Sequence, residues 1–300
     1  MNTGEEKRGD YIISADMKKN WAVQMEITRH ILDVCHRHGL KIWADWGTLL
    51  GVVRHKGFIP WDDDIDLMMM RDDYEKLIGL ADSEFKHPFF LQCPYTDKNY
   101  YRGHAQVRKD GTASIIPDDI DQPFHQGIFV DIFVYDNLPD NLGWKWKSSI
   151  RKAKWANKCL LTANYKKFCL KKPVSSIKYL IAKTFCLLFG SFNIYRFYER
   201  QFTKWNLTDC HRIASTAANY RYSSLAIRIK EKKWYDKTVM MPFEDMQLPI
   251  PEQYDKVLTV EFGADYMTPR HNSTSHGEIM IYTDRPYQEV LQDLRKEKRR

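Results

Sequence analysis

Apolar residues recur at helical spacing from about Lys18 to His38, where Trp21, Met25, Ile31, Leu32 and Cys35 fall roughly on one face and Gly39 stops the run. This predicts an amphipathic helix. The period then changes. "LKIWADWG" reads as a strand ending in a glycine turn, and "TLLGVVRHKGFIPW" as a short helix or turn followed by a loop, punctuated by Gly51, Gly57 and Pro60. "DIDLMMM" predicts a second strand and "RDDYEKLIGLADSEF" the helix after it. "GIFVDIFVYDNLP" predicts a third strand, from Gly127 to about Tyr135. From about Leu142 to Gln201 the pattern is helical, with a break at Pro173. Mixed structure then returns, with "MPFEDMQLPIPEQYDKVL" leading to a helix and "FGADYMTPRH" to a loop. The expected class is α+β, a mixed β-sheet flanked by helices and carrying a helical insertion. The expected units are a core at 18–140, the insertion at 141–205, and a C-terminal part at 206–300 that completes the core.

Charge changes the picture of the insertion. The chain carries +7, but between Lys145 and Lys204 fifteen Lys and Arg stand against one acid, Glu199, a local +14 that leaves −7 on the rest. Aromatic and aliphatic residues interleave with these cations in "WKWKSSIRKAKWANKCLLTANYKKFCLKKP". A solvated helical face accounts for such a pattern. So does contact with an anionic membrane surface, where each cation contributes ~1 kcal/mol and aromatics enter the headgroup layer. Single-stranded nucleic acid suits the same composition, but no recognised nucleic-acid motif accompanies it, so no nucleic-acid partner is expected. The longest apolar run, "YLIAKTFCLLFGSFNIY", is broken by Lys183 and Gly190, which speaks against a spanning helix, and the N-terminal stretch lacks the apolar centre of a secretory signal. The six cysteines are scattered without a CxxC, as reduced thiols would be. The expectation is a cytoplasmic protein, peripheral on the inner face of the membrane if the insertion makes that contact.

"GFIPWDDDIDLMMM" places Asp62, Asp63, Asp64 and Asp66 at the mouth of an apolar strand. Like charges repel, and a carboxylate entering a core costs several kcal/mol (roughly) unless it is compensated. A calcium loop beginning at Asp62 fails, because Leu67 occupies its glycine position and Asp73 its twelfth. Asp64 and Asp66, two apart on a strand, share a face and can grip a hard divalent cation. Asp131 interrupts the apolar run "IFVDIF", where an arginine partner or a shared metal would offset its burial. "WGT" (Trp46, Gly47, Thr48) is a small-residue turn before a helix, where Gly47 lets a phosphate approach the backbone and Thr48 adds a hydroxyl. A glycine turn, D-x-D on one strand and a distant Asp on another together form the metal-and-phosphate pattern of a nucleotidyltransferase-like fold.

"DWGTLLGVVRHKGFIPWDDDIDLMM" resembles the signature of the LicD family of phosphocholine transferases, to which fukutin and fukutin-related protein are distantly related. The resemblance extends to "GIFVDIFVYDNLP", "MPFEDMQLPIPEQYDKVL" and "FGADYMTP", and leaves the basic insertion uncovered. It implies transfer of a phospho-alcohol, typically phosphocholine from CDP-choline, to a hydroxyl of a cell-surface glycan, often built on a lipid carrier. In that reading Asp64, Asp66 and Asp131 are catalytic and hold one or two Mg²⁺, with Mn²⁺ as the alternative. Arg54, His55 and Lys56, with Arg108 and Lys109 in "VRKDGT", are donor-phosphate candidates. Trp46, Trp61, Tyr100 and Tyr101 are candidates for a cage around a quaternary ammonium. Trp46 departs from the family, where many members carry glycine. The other readings are transfer of the nucleotide itself to a sugar or lipid-linked acceptor, and a non-catalytic membrane-associated scaffold.

Overall fold

The computed structural model describes residues 2–165, 173–215, 229–270 and 279–298. A short hairpin, β1 (Glu6–Arg8) and β2 (Tyr11–Ile13), leads into α1 (Ala15–Arg37). β3 (Trp43–Ala44), α2 (Trp46–His55), β4 (Asp66–Met70), α3 (Arg71–Gly79) and the one-turn α4 (Ala81–Glu84) follow. Next come β5 (Phe89–Gln92), β6 (Ala105–Lys109), β7 (Ala113–Ile115) and the long β8 (Phe129–Leu138). The insertion supplies α5 (Trp144–Tyr165), α6 (Pro173–Phe189) and α7 (Ser191–Thr203). β9 (Arg212–Ser215), β10 (Ile229–Glu231), a hairpin of β11 (Thr238–Phe243) and β12 (Met246–Pro251), α8 (Tyr254–Phe262), β13 (Met280–Tyr282) and α9 (Tyr287–Glu297) complete the order.

β8 organises the sheet. β4 runs parallel to it along one side, pairing 66–70 with 131–135. Along the other side β6 takes residues 129–132 and β9 residues 135–138, both antiparallel. β3 extends the sheet beyond β4, β5 beyond β6 and β10 beyond β9, giving seven strands in mixed pairing. β8 is buried almost throughout, so the two acids within it, Asp131 and Asp136, stand out.

α1 forms where its periodicity places it and starts earlier than expected, because Ser14 caps it by accepting from Met17 N (3.2 Å). Its Trp21, Met25, Ile31, Val34 and Cys35 enter the main core. That core also takes in β11, β12 and α8, so the C-terminal part packs on the same sheet. α5, α6 and α7 form a second core with Leu138 and Ala214 from the sheet. Arg71 ties this helical unit down, donating to both oxygens of buried Asp136 (2.8 and 2.7 Å) and to Glu199 of α7 (2.9 Å). The break expected at Pro173 falls at the start of α6, beside residues outside the described ones. The helix expected after β4 divides at Leu80 into α3 and α4.

Candidate active site

Register builds the site. Gln92 of β5 pairs with Gln106 of β6, Gln106 with Asp131 of β8, and Asp131 with Asp66 of β4. Paired residues share a face, so four polar side chains form one row across four strands. Asp66 is pinned by its backbone: its N–H donates to Thr48 Oγ1 (2.8 Å) and its carbonyl accepts from Asp45 N (3.0 Å). Asp64 joins from the loop before β4, and one carboxylate oxygen from each of Asp64, Asp66 and Asp131 lies within 4.8 Å of the other two. Asp62 and Asp63 form a second such group with Asp64. Burial, then the neighbouring carboxylates, push the Asp64 and Asp66 carboxyls well above the usual range.

Neutral and basic groups orient Asp131. Gln106 Nε2 donates to its Oδ1 (2.7 Å), and His104 Nε2 stands 3.2 Å from the same oxygen. Gln106 Oε1 in turn accepts from Arg108 Nη2 (2.6 Å). A guanidinium only donates, so this contact fixes which end of the Gln106 amide faces Asp131. Arg108 is fully buried, donating also to Gln92 Oε1 (2.5 Å) and Gly127 O (2.6 Å), and burial pushes its pKa down to about 10. The donor set suits a hard cation. Mg²⁺ holds oxygens about 2.1 Å away, so its ligands stand no more than ~4.2 Å apart, and small side-chain rotations would close the 4.8 Å spread to that.

A buried ion pair flanks the acids. Asp45 precedes α2 but does not cap it with its side chain. Its carboxylate accepts from Lys230 Nζ (2.9 Å) and Tyr135 Oη (2.8 Å). Lys230 is fully buried, also pairs with Glu261 of α8, and lies over the rings of Tyr135 (4.6 Å) and Trp46 (5.6 Å). Trp46 has φ +44°, in the region that favours glycine, so the residue that departs from the family pattern also sits in strained backbone. Gly47 makes a close approach: a Cβ there would stand 2.6 Å from Asp62 Oδ2, the movable end of a side chain. The space expected to admit a phosphate faces a carboxylate.

The other expected contacts scatter. Arg54, His55 and Lys56 end α2, and Arg54 lies roughly 9 Å along the axis from Thr48. Arg54 donates to Tyr266 O (2.8 Å), and burial, then Arg54 and Arg8, hold His55 down at about 4. Arg54 and His55 are thus engaged by Tyr266 and Trp61, and Trp61 precedes Asp62 in the chain. Arg108 supports Asp131 through Gln106 from within the sheet rather than lining an open phosphate site, and Lys109 pairs with Glu26 of α1 (2.5 Å). The aromatic candidates occupy separate surroundings: Trp61 meets Tyr11 and His55, buried Tyr100 meets His104 and Phe124, and Tyr101 meets Tyr195.

Tyr101 also lines a cavity of about 800 Å³ between α5 and the loops at 99–102 and 116–119. Its walls include Asn99, Arg102, Asp118, Asn157 and Asn164, and it begins two residues from His104. Sequence reading missed Gln106, His104 and Lys230. Only the first had a local signal, a polar residue alternating with Arg108 in an apolar strand.

Carboxylates in register on two parallel strands thus lie beside a Gly–Thr helix start, an arrangement that suits divalent metal ions and the phosphate chemistry they assist. Comparison with known sequences agrees. Residues 39–158 match the family described as LicD/FKTN/FKRP, nucleotidyltransferase domain, a match that runs into α5 of the insertion. The chain is 25% identical over 253 residues to the lipopolysaccharide cholinephosphotransferase LicD of Haemophilus influenzae, covering 84% of this chain and 91% of that protein. It is 40% identical over 48 residues to the human ribitol 5-phosphate transferase FKRP, covering 16% of this chain and 10% of that protein. An uncharacterised protein of Rickettsia prowazekii is 31% identical over 105 residues, covering 35% of this chain and 36% of that protein. This homology supports a transferase of phosphate-containing groups.

Proposed function

We propose that the protein is a metal-dependent phosphotransferase with a nucleotidyltransferase-like fold. It moves phosphocholine, or a similar phospho-alcohol, from a CDP-alcohol to a hydroxyl of a cell-surface glycan. The observation that carries this reading is the pairing of Asp66 with Asp131 in adjacent parallel strands, with Asp64 beside them. The two relatives with named activities are a cholinephosphotransferase and a ribitol 5-phosphate transferase, and both names describe transfer of a phosphate-bearing alcohol.

Asp64, Asp66 and Asp131 would hold one or two Mg²⁺ (or Mn²⁺), which supply charge neutralisation at the donor diphosphate and the CMP leaving group. Asp131 is the residue we assign as base for the acceptor hydroxyl, with Gln106 and His104 fixing the direction of its carboxylate. Gln106 is itself held by Arg108, so the buried guanidinium is a positioning residue for the acid row. The acceptor lies in the cavity lined by Tyr101 and Arg102, where the amides of Asn99, Asn157 and Asn164 offer donors and acceptors to sugar hydroxyls. Tyr101 is the aromatic candidate on that wall. The enzyme works at the inner face of a membrane, where its basic insertion meets anionic lipid and its acceptor is lipid-linked.

The test is incubation with a panel of CDP-alcohols, Mg²⁺ and candidate glycan acceptors, following CMP release and product mass. The reading expects CMP together with an acceptor heavier by one phospho-alcohol. An acceptor heavier by a nucleoside monophosphate would establish nucleotidyl transfer, the second reading, which the family's description as a nucleotidyltransferase domain favours. No turnover with any donor would leave the scaffold reading.

A further inference from the structure

α6 turns an apolar face outward. Its inner side packs on α5, where Ala182 and Cys186 are buried and Cys186 Sγ stands 4.0 Å from Cys159 Sγ. On its outer side Val174, Ile177, Leu180, Ile181, Leu187 and Leu188 are between 48% and 75% exposed. At about 100° per residue these six, with Thr184 among them, fall within an arc of roughly 140°. Lys178 borders the arc on one side and Lys183 on the other, both exposed. Singly scattered apolar residues are normal on a surface, but a continuous aliphatic arc marks an interaction site.

The neighbouring helix shows what this face is not. α6 and α7 meet at 92°, and among the described residues no single helix is long and apolar enough to cross a membrane. α7 is committed to the protein: Tyr198 and Phe202 are buried in the second core, and Glu199 pairs with Arg71 of α3. The bent pair therefore does not span a bilayer as a unit. α6, by contrast, keeps its aliphatic arc outward.

We infer that α6 is a monotopic membrane anchor, lying flat in the lipid–water interface of an anionic leaflet. Its aliphatic arc enters among the acyl chains, and Lys178 and Lys183 reach back along their stems to the lipid phosphates. This rests on the reading of the insertion as the membrane-facing part, and replaces surface attraction alone with insertion. Charge complementarity selects the occupant. The insertion carries +14 with Glu199 as its one acid, and Glu199 is already engaged by Arg71. A second copy would bring the same positive charge against it, whereas a leaflet offers an anionic plane over an apolar layer. Because Arg71 ties α7 to the sheet, the anchor also fixes how the acid row stands above the bilayer.

The experiment is flotation of the full-length protein with vesicles of phosphatidylcholine and phosphatidylglycerol, at low salt and at roughly 1 M salt, where the screening length falls to ~3 Å. Wild type is expected to stay bound at high salt. Replacing the arc with Ile177→Ser, Ile181→Ser and Leu188→Ser keeps low-salt binding and lowers high-salt binding by about tenfold. Lys178→Ser with Lys183→Ser does the reverse, weakening low-salt binding most. An unchanged melting temperature checks that each variant folds. Wild type released by salt as completely as the serine variant overturns the anchor in favour of attraction alone. A vesicle-free dimer that the serine variant loses overturns it in favour of a second copy. The assay uses neither donor nor acceptor, so failure of the transfer reading leaves it intact.

Discussion

Asp45 and Asp66 are joined by a single backbone hydrogen bond, yet their carboxylates have opposite surroundings. Asp45 faces a buried ammonium and a phenol, with Glu261 completing the group around Lys230. Asp66 faces another carboxylate, Asp131, in register on the next strand, with Asp64 close by. Where the chain uses charge to hold its fold, it brings the counter-charge itself, as Lys230 does here and Arg71 does between Asp136 and Glu199. Where it aligns acid against acid, we propose that it builds a place for a cation from outside. On that proposal the difference separates structural from catalytic acids on one sheet.

The sharpest way to break this comparison is to remove charge from the acid row. Asp66→Asn and Asp131→Asn are each expected to lower turnover by roughly a thousandfold, about 4 kcal/mol in the barrier, while the melting temperature holds or rises because repulsion is relieved. A variant that loses activity only by unfolding would place Asp66 with the structural acids. The opposite outcome is expected across the backbone bond. Lys230→Met leaves Asp45 and Glu261 buried without their ammonium and should cost about 3–5 kcal/mol of stability by denaturant unfolding. Adding Asp45→Asn to that variant should recover part of the loss, which a simple packing defect would not.

Gln106→Leu sharpens the boundary between the two. It removes the donor to Asp131 and the acceptor for Arg108 Nη2, leaving a buried donor unmatched at about 1–3 kcal/mol. Activity should fall about tenfold beyond that loss, because Asp131 is no longer oriented. The smallest effect lies outside both groups. Burial lowers His55 from its ordinary 6.5 to about 4, so the folded state resists its protonation. Its contribution is complete above pH 6.5 and lost as pH falls toward 4. The melting temperature should decline across that window, and less so in His55→Phe.

The sequence made one side of this comparison much plainer than the other. Asp64, Asp66 and Asp131 announce themselves because charge interrupts apolar sequence, but the alternation expected to place 64 and 66 on one strand face does not reach Asp64, which lies in the loop before β4. α1 is legible from its 3.6-residue period. Lys230 was not legible: it lies 185 residues from Asp45, in a three-residue strand too short to show a period. The short β5 and β7 also went unread, and so did β6 despite its Gln106–Arg108 alternation, and with them the Gln92–Gln106 half of the polar row. Arg54 reads as a phosphate-binding candidate, and its engagement by Tyr266 O, 212 residues away, is written nowhere in its local pattern. The apolar arc of α6 is written in its period, but only the fold shows that the arc faces out.

The central claim is that Asp64, Asp66 and Asp131 hold a divalent cation, and metal-dependent stability tests it without any substrate. The measurement is the melting temperature of metal-stripped wild type and of Asp131→Asn, each titrated with Mg²⁺ and Mn²⁺. An ion at 100 times its dissociation constant adds about 2.7 kcal/mol to a folded state that binds it, so wild type should rise by roughly 5 °C or more. Asp131→Asn should start level with or above stripped wild type and barely respond. No rise in wild type, or an equal rise in both proteins, would contradict the account.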